Sequence, residues 1–84
     1  MTHQDYLKST IIEVVDNQLA ANKPPETRQT FDRLLSEGHS EEEAKKLIGC
    51  VVVAEIFNVL KKEELFNLER FVQALNNLPT IPED

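Results

Sequence analysis

Glu55 is the residue whose type and position most suggest chemistry. It lies among the apolar residues Ala44, Ile48, Val51 and Val59, on one face of a segment with helical spacing. A buried carboxylate needs a partner or a proton, because burial disfavours its charged form. Glu55 could act as a ligand or a base, but we expect an ion pair or hydrogen bond, or escape to solvent at the helix edge. The candidate partners are Arg28, Arg33, Arg70 and Tyr6.

Histidines near acidic residues raise the question of a metal site. His39 precedes the run Glu41-Glu42-Glu43, and His3 lies close to Asp5. This spacing does not match the zinc motifs His-Glu-x-x-His or Cys-x-x-Cys. Glutamates are instead typical of the first turn of a helix, where they face the positive end of its dipole. We therefore expect neither a metal nor a cofactor.

Cys50 is the single cysteine of the chain, so no disulfide can form within the molecule. No histidine or basic cluster adjoins it to activate its thiol, and a small apolar packing role is the better interpretation. The sequence also lacks a phosphate-binding glycine loop, a nucleophile elbow and a paired catalytic constellation. These features disfavour an enzyme.

Apolar residues recur at three- and four-residue steps along most of the chain, and this spacing predicts helices. Proline, glycine and capping residues separate the periodic segments. The sequence therefore predicts an all-α fold, a compact bundle of about four helices in a single domain, 1–84, with a long third helix. The predicted helices cover about residues 5–21, 25–37, 41–61 and 68–78, followed by an extended tail at 79–84.

Helix ends are marked by specific local signals. Gly38 is expected to end the second helix in a left-handed conformation. The stretch Ser40–Glu43 forms a capping box, in which the serine hydroxyl and the last glutamate each satisfy a free backbone amide. Asn67 is a typical cap for the fourth helix, and Phe66 with Phe71 has the spacing of a hydrophobic staple.

The predicted third helix is apolar on more than one face. On a helical wheel the inward arc carries Ala44, Leu47, Ile48, Val51, Val52, Ile56 and Val59. The opposite side carries Cys50, Val53, Phe57 and Leu60. Because three shorter helices cannot easily enclose a long one, we expect homodimerisation through helix 41–61 and these four residues. The alternative is that the first and fourth helices wrap it completely. Gly49 indicates either close helix approach or a tolerated surface glycine.

The charge of the chain limits its partners. A formal net charge of -6 disfavours attraction to phosphate backbones and anionic lipid, so nucleic acid is an unlikely partner. The longest apolar run, 50–54, is far shorter than the roughly 20 residues that span a bilayer. The polar start at 1–5 does not resemble a secretory signal. Together with the single cysteine, this predicts a cytoplasmic protein without membrane association.

The turn at 37–44, with Gly38, Ser40 and Ala44, resembles two known helical turns. One is the helix-turn-helix of DNA-binding domains, which would place the third helix in the major groove. Three glutamates at that end would meet phosphates, however, and no base-reading side chain lies nearby. The other is the first turn of ubiquitin-associated domains. In those domains a short helix follows the turn, whereas the helix predicted here has about twenty residues.

Several stretches along nearly the whole chain are similar to a family of small bacterial proteins of unknown function. These stretches are Pro24-Pro25-Glu26-Thr27, 37–44, Ala54-Glu55-Ile56-Phe57 and Glu69-Arg70-Phe71. The resemblance implies a bacterial source and a helical fold. It implies no activity and no site residue.

The sequence leaves three hypotheses for function. The first is a non-enzymatic interaction or scaffold domain, whose partner is a second copy and whose groove could also serve an unknown protein. The second is a regulator with helix-turn-helix geometry, which would need a basic surface formed jointly by Arg28, Arg33 and Arg70. The third is a small metal-binding protein or hydrolase that uses Glu55.

Overall fold

The computed structural model describes residues 3–82, with side chains described from residue 9 to residue 82, and this part of the chain is all-α. The longest helix, the third, has 22 residues and packs against each of the other helices. The predicted fold class is therefore confirmed, with helix ends that differ from the prediction by one or two residues. The helices are α1 (His3–Ala21), α2 (Pro25–Ser36), α3 (Glu41–Lys62) and α4 (Leu68–Asn77).

The turn between α2 and α3 is built as predicted at Gly38, which has a φ of 102°. Glycine tolerates this left-handed conformation because it lacks a Cβ atom. The Gly38 amide donates to the carbonyl of Leu35 (3.0 Å), and the His39 amide donates to that of Leu34 (3.1 Å). These two hydrogen bonds form a Schellman motif, which satisfies the last carbonyls of α2.

The N-terminus of α3 carries half of the predicted capping box. Ser40 Oγ accepts a hydrogen bond from the Glu43 amide at 3.1 Å. The Glu43 carboxylate interacts with the Ser40 side chain instead of its backbone, because the Ser40 hydroxyl donates to Glu43 Oε1 at 3.4 Å. The serine cap is thus confirmed, while the glutamate takes a different partner from the one expected.

The predictions for the start of α4 are confirmed, and those for its end are corrected. Asn67 Oδ1 accepts from the Arg70 amide at 2.9 Å, and the rings of Phe66 and Phe71 lie 5.5 Å apart, so the cap and the staple are present. The helix ends at Asn77 rather than at residue 78. The predicted extended tail begins instead with a turn, in which the Thr80 amide donates to the Asn77 carbonyl at 2.9 Å.

The core lies where α3 meets the other three helices. Ile56, predicted on the inward arc, is 46% exposed, which corrects that assignment. The sequence also gave no sign that Thr27 and Thr30 are buried. The Thr27 hydroxyl is satisfied by Gln18 Oε1 of α1 at 3.0 Å. The buried apolar residues are Val15, Leu19, Phe31, Leu34, Ala44, Ile48, Val51, Val52, Phe71, Leu75 and Leu78.

Helices α1 and α3 approach closely at Gly49. This glycine is buried, and a Cβ atom placed on it would lie 2.9 Å from Cγ2 of Ile11. Atoms at that distance overlap, so an alanine there would require Ile11 to move. The close approach, and not the tolerated surface position, is therefore the correct interpretation of Gly49.

Candidate functional site

Glu55 lies in the inner face of α3 and is only 5% exposed. Its Oε1 accepts from Arg70 Nε at 2.8 Å, and its Oε2 accepts from Arg70 Nη2, also at 2.8 Å. The backbone amide of Asn67 donates a third hydrogen bond to Oε2 at 3.0 Å. The paired guanidinium geometry is the strongest that an arginine offers to a carboxylate. The buried charge is therefore both neutralised and hydrogen-bonded.

The start of α4 delivers both donors to Glu55. Asn67 is the N-cap, so its backbone amide precedes the helix and is free to point at α3. Arg70 follows in the first turn, and its own amide is held by the Asn67 side chain. Arg70 Nη1 also donates to Glu64 Oε1 at 3.2 Å. The cap, the arginine and the two glutamates thus form one cluster that joins the end of α3 to the start of α4.

This environment sets the protonation of Glu55. Hydrogen bonding from Arg70 is the main cause that lowers the pKa of Glu55, burial opposes it, and the Asn67 amide and the positive charge of Lys62 add to the lowering. The same contacts raise the pKa of Arg70. A carboxylate with a lowered pKa is a weak base at neutral pH, and its oxygens already accept three hydrogen bonds. The arrangement is therefore suited to holding α3 against α4 rather than to proton transfer or metal ligation.

The other candidate partners of Glu55 lie elsewhere or outside the described side chains. Arg28 lies 3.8 Å from Asp32 and 5.6 Å from the ring centroid of Phe31. Arg33 donates to Glu37 at 2.9 Å and to the carbonyl of residue 75 at 3.0 Å. Each arginine thus has an acidic neighbour within this chain. The side chain of Tyr6 lies outside the described residues.

Among the described side chains, the acidic residues and His39 do not converge on a metal site. His39 Nδ1 lies 3.7 Å from Glu43 Oε2, one helical turn away. Among the residues that the structure describes, no group of three or more histidine, cysteine, aspartate and glutamate side chains could hold an ion. His3 and Asp5 lie outside the residues whose side chains are described.

The outer face of α3 carries a row of apolar side chains at its centre and C-terminal half. Val53 is 47% exposed, Phe57 51% and Leu60 73%, while Cys50 is half-buried beside them. We call Cys50, Val53, Phe57 and Leu60 the α3 stripe. Lys61 Nζ lies 5.7 Å from the centroid of the Phe57 ring, so part of that ring contacts a cation. The stripe brings together the four residues predicted from the helical wheel.

Further apolar side chains follow α3 in the sequence and were not predicted as exposed. Leu65 is 90% exposed, Phe66 55% and Leu68 47%. An open groove of ≈ 330 Å³ lies beside Phe66, and its wall includes Ile56 and Leu60. The sequence signal for this exposed surface was the apolar pair at 65–66, which immediately follows two glutamates. The exposed apolar surface is therefore wider than the stripe.

Comparison of the chain with protein-family models, with curated proteins and with solved structures finds no match. The resemblance to small bacterial proteins stays a prediction. Within residues 3–82, every helix is too short or too polar to cross a lipid bilayer.

Proposed function

We propose that this chain is a non-enzymatic interaction domain that forms a homodimer through the α3 stripe. The observation that supports this proposal is the row of Val53, Phe57 and Leu60, each about half exposed or more on the longest helix of the domain. A contiguous apolar patch on a small protein usually marks an interaction surface, because its exposure to water is unfavourable. A two-fold symmetric contact would cover the same patch on both copies.

The chemistry of Glu55 supports a binding role over an enzymatic one. Its two oxygens are occupied by Arg70 and by the Asn67 amide, so neither is directed at a substrate. The metal-site and hydrolase hypothesis needs that carboxylate free, and no contact of the described residues favours it. A Glu55→Gln variant that lost a measured hydrolytic or metal-binding activity would revive that hypothesis.

The contacts of the arginines do not favour the helix-turn-helix hypothesis. Arg28, Arg33 and Arg70 each lie beside a carboxylate of the same chain. Side chains already paired in this way have little charge left for phosphate. We therefore propose a protein partner, namely a second copy, rather than nucleic acid.

We further propose that the domain acts in the bacterial cytoplasm. The resemblance along the chain supports a bacterial source. A single half-buried cysteine, Cys50, is compatible with a reducing compartment, because disulfides there are rare. Expression of a fluorescent fusion in a bacterium, with microscopy and fractionation, tests the location; recovery in the periplasm would contradict it.

Val53→Glu tests the proposed homodimer. The substitution places a charge in the middle of the α3 stripe, where a dimer would have to bury it, and glutamate is a good helix former. We expect sedimentation equilibrium to show a dimer for the unmodified chain at micromolar concentration and a monomer for Val53→Glu, with the same helical circular dichroism.

Gln29→Glu is the matched control for this test, because it adds the same charge at an exposed position of α2. The control should associate like the unmodified chain. A chain that stays monomeric at high micromolar concentration, or a Val53→Glu variant that associates normally, would show that the stripe is not a dimer interface.

A further inference from the structure

We propose that the second copy also covers the groove beside Phe66, so that the homodimer interface extends from the α3 stripe to the start of α4. This inference rests on the proposed homodimer and adds the part of its surface that lies outside the stripe. The groove has a volume of ≈ 330 Å³. Its walls include Val14 of α1, Ile56 and Leu60 of α3, and Phe66 and Phe71 at the start of α4.

The groove is continuous with the stripe on the surface of α3. Leu60 belongs to both, because it is a member of the stripe and a wall of the groove. Ile56 lies three positions after Val53 and four positions before Leu60, so these side chains are neighbours on one helix. All three are about half exposed or more. A molecule that covers the C-terminal half of the stripe therefore reaches the edge of the groove.

The groove offers an apolar contact although two polar side chains, Gln18 and Glu55, line it. Gln18 Oε1 accepts from the Thr27 hydroxyl at 3.0 Å. Both carboxylate oxygens of Glu55 accept from Arg70. Because these oxygens are already engaged, the groove favours apolar side chains over charged groups, which would lose their hydration there.

The area that a stable dimer needs supports this extension. A typical interface covers about 800 Å² on each partner and is about 60% apolar, so each copy supplies about 500 Å² of apolar surface. A fully exposed phenylalanine offers about 200 Å², and Val53, Phe57 and Leu60 therefore offer roughly 300 Å² together at their exposures. On the same scale, Ile56 and Phe66 raise this area to about 500 Å².

The same area favours a second copy as the occupant of the groove. In a two-fold contact each surface is used twice, so adding Ile56 and Phe66 to the interface adds them on both copies. A different protein in the groove would leave the homodimer with the stripe alone, which is smaller than a typical interface. The stripe and the groove are therefore covered by one partner.

Tryptophan fluorescence tests whether the groove is covered, since the chain contains no tryptophan. Phe66→Trp places a reporter at the groove and Phe57→Trp places one on the stripe, both at positions about half exposed. We expect the emission of both variants to shift to shorter wavelength as protein concentration rises and dimers form, because the indole ring leaves water. Ile81→Trp is the control, as this residue is 48% exposed beyond the end of α4 and should keep its emission.

The reporters separate this inference from the proposed homodimer. A shift for Phe57→Trp without a shift for Phe66→Trp would overturn the covered groove, leave the homodimer intact and free the groove for another partner. Sedimentation equilibrium that shows only monomers of the unmodified chain would overturn both proposals. Equal shifts for Phe66→Trp and Ile81→Trp would indicate non-specific association and overturn the assignment of the groove.

Ile56→Gln tests the groove wall without a reporter. Glutamine is a good helix former, but its amide would face the apolar surface of the other copy. We expect the dissociation constant of the dimer to rise about tenfold in sedimentation equilibrium, since both copies lose apolar contact. Ile81→Gln is the matched control, because it makes the same substitution at nearly equal exposure, 48% against 46%, and should associate like the unmodified chain.

An unchanged dissociation constant for Ile56→Gln would restrict the interface to the stripe, provided that Val53→Glu is monomeric, and would overturn this inference. Circular dichroism of each variant checks that its helices are intact. If Ile56→Gln loses helical content, the tryptophan variants decide, because each keeps an aromatic ring at position 57 or 66.

Discussion

The two faces of α3 differ in the polarity of the residues that they bury and expose. The inner face buries a charged residue, Glu55, whereas the outer face exposes Val53, Phe57 and Leu60. The difference lies in what each face meets. The start of α4 brings a guanidinium and a backbone amide to Glu55, while each of the three outer residues stays about half exposed or more. Burial along this helix thus follows from its neighbours more than from the hydrophobicity of its own residues.

The contrast between the two faces of α3 is tested most strongly by truncating an apolar side chain on each face. Ile48 is fully buried and Leu60 is 73% exposed. Ile48→Ala should lower the free energy of unfolding by about 3 kcal/mol, because it removes buried methyl groups and leaves a cavity. Leu60→Ala should change the free energy of unfolding of the monomer by less than about 0.5 kcal/mol. Urea denaturation at low protein concentration measures both.

Measuring the free energy of unfolding at several protein concentrations distinguishes substitutions on the two faces further. Dimerisation stabilises the folded state by mass action, so Leu60→Ala should become more destabilising as concentration rises, while the cost of Ile48→Ala in the monomer stays. Equal losses from the two substitutions at low concentration would contradict the distinction between a packed face and a free one.

The next largest effect is expected at the buried charge. Glu55→Gln preserves the shape of the side chain but replaces one acceptor oxygen by an amide nitrogen. The hydrogens of this nitrogen then face the donors of Arg70 or the Asn67 N–H. We expect a loss of about 2 kcal/mol in the free energy of unfolding, since hydrogen bonds to charged groups are worth more than neutral ones. Glu64→Gln is the matched control, because that carboxylate binds the same arginine but is 48% exposed. Similar losses in both variants would show that burial of Glu55 does not matter.

Acid should remove the contribution of Glu55. Its pKa is lowered in the folded protein from the ordinary 4.5, mainly by Arg70, so its contribution is complete above 4.5 and is lost as pH falls through the lower folded-state value. The difference in unfolding free energy between the unmodified chain and Glu55→Gln should therefore narrow below pH 4.5. Urea denaturation at several pH values checks this. A difference that widens in acid would mean that the folded state favours the protonated carboxyl.

A smaller effect than at Glu55 is expected at the edge between the two faces, where Gly49 meets Ile11. Gly49→Ala gains about 1 kcal/mol of helix propensity but forces a Cβ atom to within 2.9 Å of Ile11 Cγ2. Overpacking costs about 1–3 kcal/mol, so we expect a net loss of about 1 kcal/mol. Thermal unfolding measures it.

Ile11→Ala removes the clashing methyl group and completes a double-mutant cycle. In that background Gly49→Ala should be neutral or stabilising, which appears as a favourable coupling between the two positions. If Gly49→Ala alone stabilises the protein, Ile11 yields at no cost and the close approach does not require a glycine.

Local signals predicted the fold well because they depend on neighbouring residues. Gly38, the Ser40 cap and the Asn67 cap each act within one helical turn, and all three occupy the predicted positions. The tail was less predictable. Leu78 continues the apolar period of α4, yet it lies in a turn and is 2% exposed, so its burial follows from tertiary packing rather than from a helical position.

The candidate site was predicted only in part. The helical wheel identified the four residues of the α3 stripe, but it placed Ile56 inside, because a wheel assigns angles without knowing where neighbouring helices end. It could not distinguish among Arg28, Arg33, Arg70 and Tyr6 as partners of Glu55. That choice depends on which side chain a turn brings within hydrogen-bond distance.

The sequence by itself determined the helix bounds to within one or two residues and that the middle of α3 is apolar nearly all the way round, since propensity, capping and periodicity are local properties. Only the tertiary structure decided which of those apolar residues are covered and that Arg70 and the Asn67 amide satisfy Glu55. The physical reason is that desolvation and charge pairing depend on groups from distant parts of the chain. Glu55 and Arg70 are 15 positions apart in the sequence, and the fold alone brings their side chains to 2.8 Å.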